Sequence, residues 1–181
     1  MYKRQDYPNI RRRNYDVKKI IQRRRKGQLS DNIYVVRLDI DNFKRFNDMY
    51  GHEEGDRVLK MTTEIVEETI RATDFKREIY DNPGRGYHIH GEEKEIIFFA
   101  PDDNSALKVA ERYRANVEKL SYQRTNGKYR ITESIGITRW DIDKESFSDA
   151  ASRADKLVYK AKKLGKNRVV SDFGLELKRN S

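Results

Sequence analysis

Two carboxylates two residues apart, Asp39 and Asp41, end the apolar run NIYVVRLDID. Side chains alternate along a strand, so both are expected on the same side of its end. Carboxylates this close repel, which calls for a cation between them. Mg²⁺ or Mn²⁺ carrying nucleotide phosphates is the natural candidate, because a hard cation takes few protein oxygens and completes its shell from phosphate and water. Lys44, just downstream, could meet phosphate charge. A second charged cluster lies in YHIHGEEKEIIFFAP (87–101), where Glu92, Glu93 and Glu95 surround Lys94. It reads as the tip of a β-hairpin, and its chemistry depends on whether the carboxylates or the ammonium face Asp39.

The elements that must position these groups follow from periodicity. Residues 32–40 are β-branched and apolar, so a buried strand. DNFKRFNDMYG predicts a short helical turn stopped by Gly51. The stretch 53–74 carries Val58, Met61, Ile65 and Leu59, Val66, Ile70 at helical spacing, so an amphipathic helix. Turn chemistry at 81–86 leads into the hairpin, followed by a helix over 103–121 and strand composition over 128–140. A further helix places Ala151, Ala154, Val158 and Ala161 toward the core and stops at Gly165, before a last short strand at 168–170. This order predicts an α+β fold with a mainly antiparallel central sheet flanked by helices.

Composition narrows the classes. Among the 181 residues there is no cysteine, which excludes disulfides and thiolate chemistry and suits a cytoplasmic setting. No apolar run approaches the ~18 residues of a membrane span. The net charge of +9 is concentrated: residues 1–28 hold eleven Lys/Arg and two Asp, leaving 28 basic and 28 acidic residues elsewhere. The division is therefore a basic N-terminal arm or helix (1–30), a globular domain (31–173) and a short tail (174–181). Val17, Ile20 and Ile21 would pack the arm on the body, while its cations could bind nucleic acid.

The block LDIDNFKRFNDMYGHEEGD resembles the GGDEF (diguanylate cyclase) family pattern D-x-D-x-F-K-x-x-N-D-x-x-G-H-x-x-G-D. ITESIGIT resembles that family's T-x-S-x-G strand, and ASRADKLVYKAKKLGKNRVV its R-A-D-x-A-L-Y-x-A-K-x-x-G-R-N block. The resemblance implies a palm-like fold shared with nucleotidyl cyclases and polymerases. It implies that Asp39, the Ile40 carbonyl and a hairpin carboxylate hold the metal. Asn47 and Asp56 would read guanine, and Lys44, Lys162 and Lys166 would meet phosphate. An Asn amide both donates and accepts, and an Asp accepts from the guanine edge.

The family's five-residue signature departs here. Counting back from Pro101 gives Glu92, Glu93, Lys94, Glu95 and Ile96, with Lys94 in the metal-binding third place. With a Glu92-Glu93 turn, Ile89 faces Ile96 and Tyr87 faces Phe98, which favours that register. A slide of two residues, with a His90-Gly91 turn, has better turn chemistry. In the favoured register Lys94 would pair with Asp39 or Asp41 in place of metal. The leading expectation is then a divergent domain that binds GTP or a cyclic dinucleotide, with weak or lost cyclase activity. The alternative is an active cyclase, with Glu93 or Glu95 taking the metal or catalytic role and a homodimer bringing two sites face to face. A third reading is a nucleic-acid-binding protein that uses the arm. RATD, with Arg71 and Asp74, matches the family's R-x-x-D inhibitory motif for cyclic di-GMP.

Overall fold

A computed structural model describes residues 9–71, 84–124 and 127–174. The chain runs α1 (Ile10–Arg25), β1 (Asn32–Ile40), α2 (Phe43–Tyr50), α3 (His52–Arg71), β2 (Gly84–His90), β3 (Glu93–Ala100), α4 (Asp103–Glu118), β4 (Ser121–Arg124), β5 (Gly127–Arg130), β6 (Glu133–Trp140), α5 (Phe147–Lys163) and β7 (Arg168–Ser171). Five strands form one sheet in the order β2-β3-β1-β6-β7. Only the β6–β7 pair is parallel. This is the α+β, mainly antiparallel architecture that the element order predicts.

β1 is the central strand, and its alternation divides the core. Tyr34, Val36, Leu38 and Ile40 pack with Val58, Val66, Leu107, Tyr113 and Val117, residues of α3 and α4. Ile33 and Val35 point the other way, into a cluster with Val17 of α1 and Ala150, Ala151 and Ala154 of α5. The small alanines let α5 lie close on the sheet. A Cβ on Gly136 would come 2.1 Å from the Ala154 carbonyl oxygen. The expected docking of α1 through Val17, Ile20 and Ile21 is observed.

Two elements differ from expectation. The stretch 128–140 is not one strand: β5 pairs with β4 in a separate two-stranded ribbon, and β6 begins at Glu133. α4 ends at Glu118, and Ser121, placed at the end of that helix by its sequence, begins β4. A β-branched, aromatic run signals strand but carries no mark of a change of partner, so the break at Ile131-Thr132 is decided by pairing.

Candidate functional site

The β2–β3 hairpin departs from both registers weighed from sequence. Its turn is Gly91-Glu92, with His90 opposite Glu93, His88 opposite Lys94 and Tyr87 opposite Glu95. Ile89 lies at a register shift rather than facing Ile96 or Glu92. Gly91 sits at φ +55, the left-handed conformation in which a Cβ is penalised. The bulge absorbs the residue left over on β2. Turn chemistry and a bulge thus prevail over the apolar cross-strand pairs that argued for a Glu92-Glu93 turn.

This register corrects the role foreseen for Lys94. In the β1–β3 ladder Asp39 is opposite Glu93, and Lys94 is opposite Leu38. Residues opposite one another share a face, so Glu93 joins Asp39 while Lys94 goes to the core side. There Lys94 is 1% exposed, and its Nζ lies 2.5 Å from Glu133 Oε1 and donates to Thr62 Oγ1 at 2.9 Å. Tyr113 donates its hydroxyl proton to the other Glu133 oxygen at 2.8 Å. Lys94 pairs with neither Asp39 nor Asp41.

A different lysine meets Asp39. Lys162, near the end of α5, places Nζ 2.7 Å from Asp39 Oδ1. Burial pushes the Asp39 carboxyl above the usual range. Lys162 counters this, and the nearby Glu92 and Glu93 add to the rise. Among the described residues Asp41 takes no part in such a pair. It is buried and accepts from Thr132 Oγ1 (2.7 Å), Ser134 Oγ (2.7 Å) and the Asn167 backbone N–H (3.0 Å). Its carboxylate ties β6 and the α5–β7 loop to the end of β1, so the pair expected from the D-x-D spacing does different work at each position.

That loop carries Lys166 and Asn167, both at positive φ (+63 and +46). Lys166 donates to Asn42 Oδ1 at 2.6 Å, at the start of α2. The Asn167 side chain donates to Glu118 and accepts from Arg114. Arg114 and Glu118 are residues that the sequence reading did not single out. The contacts join positions more than forty residues apart, and no local spacing signals them.

Lys44 is exposed on α2. Asn47 and Asp56, half-buried, lie on α2 and α3 around the Gly51 break, where Gly51 ends α2 at φ +87. Among the described residues, Asn47 Oδ1 is buried without a hydrogen-bond partner. It occupies the space beside Gly55, where an added Cβ would come within 1.9 Å of it. A polar atom desolvated and unsatisfied is costly unless something else supplies a donor. Ile40 ends β1, directly after Asp39.

Glu95 shares the Asp39 face but is closed off. It is fully buried, with Arg37 at 3.0 Å and Arg13 of α1 at 3.6 Å. Burial raises its carboxyl above the ordinary value, and the two guanidiniums pull the other way. Of the R-x-x-D pair, Arg71 ends α3 and Asp74 lies outside the described residues.

The donor chemistry fits a hard divalent cation. Asp39 and Glu93 bring two carboxylates to one strand end, and Ile40 is the next residue. Among the described residues no three His, Cys, Asp or Glu side chains converge on a metal cage. Such a cation would draw its remaining ligands from phosphate and water, as Mg²⁺ does.

The family model described as "Diguanylate cyclase, GGDEF domain" matches residues 8–168. Diguanylate cyclase A of Treponema denticola is 34% identical over 143 residues, which cover 79% of this chain and 36% of that protein. The probable diguanylate cyclase DgcT of Escherichia coli is 31% identical over 166 residues, covering 90% of this chain and 34% of the other. The chain thus spans about a third of the length of these curated relatives. The crystal structure of the GGDEF domain of DgcB from Caulobacter crescentus, in complex with c-di-GMP, is 26% identical, with a TM-score of 0.77 over 91% of each chain. No helix among the described residues is long and apolar enough to cross a membrane. With the sheet order, the motif blocks on β1–α3 and α5–β7, and the match over 8–168 in agreement, the chain belongs to the GGDEF family.

Proposed function

We propose that this domain binds a guanine nucleotide with Mg²⁺ or Mn²⁺ and that its site is equipped for cyclase chemistry. The observation that carries this reading is the facing of β3: Glu93 stands beside Asp39, and Lys94 is turned into the core. One sequence-based argument for lost activity is a cation intruding on the metal position, and the burial of Lys94 beside Glu133 speaks against it; the other, side chains where the family's signature carries glycine, remains at Glu92.

In this reading Asn47 and Asp56 hold the guanine edge, and the unpartnered Asn47 Oδ1 is the acceptor that a base N–H would satisfy. Gly55 keeps the space open beside it. Lys44, Lys162 and Lys166 hold phosphate oxygens. A bound divalent cation would be held by Asp39, Glu93 and the Ile40 carbonyl, and would neutralise charge developing on the phosphates. In the reaction, a ribose 3′-hydroxyl of one GTP attacks the α-phosphorus of a second GTP. A phosphodiester bond forms, the α–β anhydride bond breaks, pyrophosphate leaves with the electron pair, and the hydroxyl proton passes to solvent water. Two such steps close cyclic di-GMP. They require two copies of the domain facing each other, so activity is expected to rise steeply with protein concentration.

A second reading, nucleotide binding without turnover, is favoured by Glu92, which places a side chain in a turn where the family carries glycine. One experiment separates the two. Concentrated protein is incubated with GTP and Mg²⁺ or Mn²⁺, and products are read by mass spectrometry beside an Asp39→Ala control. Cyclic di-GMP in the wild type alone supports the cyclase. Intact GTP with saturable, guanine-specific binding by calorimetry supports the receptor. Absence of both sinks the nucleotide reading.

A further inference from the structure

The outer face of α1 forms a charged surface apart from the nucleotide site. Its inward side is occupied by structural work. Val17 is buried, Ile20 and Ile21 pack beside it, and Asp16 accepts from the Tyr87 hydroxyl at 3.0 Å. Arg13 faces Glu95 and lies 5.4 Å from the Phe147 ring centroid. Arg24 donates to the Leu29 carbonyl at 2.7 Å.

Apart from Arg23, which is half-buried, the other cations come in adjacent, exposed pairs at a seven-residue interval: Arg11-Arg12, Lys18-Lys19 and Arg25-Lys26, the last pair running one residue past the helix end. Seven residues make nearly two turns, so the pairs stack along one side, about 10 Å apart. Tyr15 stands between the first two pairs, 49% exposed. The Arg12 guanidinium and the Lys19 ammonium lie 5.3 Å and 4.8 Å from its ring centroid. Arg12 pairs with Asp16, but no carboxylate among the described residues pairs with Arg11, Lys18, Arg25 or Lys26. Helix formation and docking need the apolar positions 17, 20 and 21. They do not need paired cations in this register on the far side.

We propose that this ridge binds the phosphodiester backbone of nucleic acid. Residues 1–28 carry a net charge of +9, and the other 153 residues balance 28 bases against 28 acids. The field is therefore one-sided and attracts a polyanion to α1. Guanidiniums at Arg11, Arg12 and Arg25 suit bidentate phosphate contact. A lipid surface fits less well. An interfacial helix buries its own apolar face in the headgroup region, and here that face is already committed to the protein core. A second copy of the chain offers no matching excess of negative charge outside the arm.

The test is fluorescence anisotropy of labelled single- and double-stranded oligonucleotides with the full chain, over a range of salt. The double variant Lys18→Glu/Lys19→Glu is compared with a control that reverses two exposed lysines on other helices, Lys108→Glu/Lys156→Glu. Circular dichroism melting verifies that both variants fold. Wild-type binding should weaken steeply with salt, each neutralised phosphate adding about −0.7 to −0.9 to the log–log slope. Lys18→Glu/Lys19→Glu should bind at least about tenfold more weakly with a flatter slope, and the control should differ by less than about threefold, because the charges act locally within a Debye length. No saturable binding at low salt overturns the proposal. So does equal loss in the two variants, or association with phosphatidylserine vesicles without binding to either oligonucleotide.

Discussion

Two lysine–carboxylate pairs lie on opposite faces of the same sheet. Lys94 and Glu133 meet at 2.5 Å with side chains 1% and 0% exposed. Lys162 and Asp39 meet at 2.7 Å with side chains 35% and 13% exposed. The charges are of the same kind and the distances similar, yet the surroundings give the pairs different roles. The first is closed by Thr62 and Tyr113, so neither partner can find another counter-ion. The second opens to solvent beside Glu92 and Glu93, where, under the proposed function, metal and phosphate would compete for both partners. Burial, more than pairing, separates a structural ion pair from an exchangeable one.

The largest expected effect breaks the closed pair. Lys94→Met leaves Glu133 in the core without its counter-ion, with only the Tyr113 hydroxyl beside it, which should cost about 3–5 kcal/mol in urea unfolding. Lys94→Met combined with Glu133→Leu should recover much of that loss, because no charge is left unpaired. Additive losses in the double variant would show that the two residues do not act as a unit.

A smaller effect is expected at the open pair. Lys162→Ala should leave the unfolding midpoint within about 0.5–1 kcal/mol of wild type, since partly exposed pairs contribute little. It should raise Mn²⁺ affinity in the nucleotide-free protein, read by electron paramagnetic resonance, because Asp39 loses a competing cation. Affinity for GTP should fall about tenfold, or ~1.4 kcal/mol. Unchanged Mn²⁺ affinity would mean that Lys162 does not compete at that carboxylate.

Gly55→Ala tests the proposed base pocket without touching either pair. The added Cβ meets Asn47 Oδ1 and must displace it. Guanine-nucleotide affinity should drop about tenfold or more, measured by calorimetry, while affinity for Mn²⁺ alone holds.

The smallest effect is a pH dependence at Glu95. Burial raises its carboxyl in the folded state above the unfolded value. Between those two values the folded protein binds the proton that the unfolded chain has released, so stability falls as pH rises through that window and levels off above it. Glu95→Gln should remove this slope. Urea midpoints from about pH 4.3 upward, the ordinary Glu value, would reveal it. A wild type that instead gains stability with rising pH there would mean that Arg37 and Arg13 outweigh desolvation.

Much of this was legible in the chain. The amphipathic spacing of Val58, Val66 and Ile70, the β-branched run of β1 and the alanine face of α5 specify their elements locally. The stop at Gly51 and the inward set Val17, Ile20 and Ile21 were equally plain. The motif blocks placed Asp39, Asn47, Asp56, Lys162 and Lys166 on elements that the fold then brings to one end of the sheet or beside it.

The facing of the hairpin was not legible. Strand side chains alternate with a period of two, so a one-residue change reverses every assignment. The alternative His90-Gly91 turn is a slide of two residues from the favoured one, which leaves Lys94 on the same face. The structure places the turn one residue from either choice and makes up the difference with a bulge at Ile89. Composition cannot show this, because a bulge leaves no residue pattern as distinct as Gly91 at the turn. Nor could spacing show that Asp41 is satisfied by Thr132, Ser134 and Asn167, or that Lys94 ends beside Glu133. Propensity and periodicity act over neighbouring residues, so the elements, the family and the residue types available for chemistry can be read along the chain. Which carboxylate meets which cation cannot, because register and burial arise only when distant strands pair.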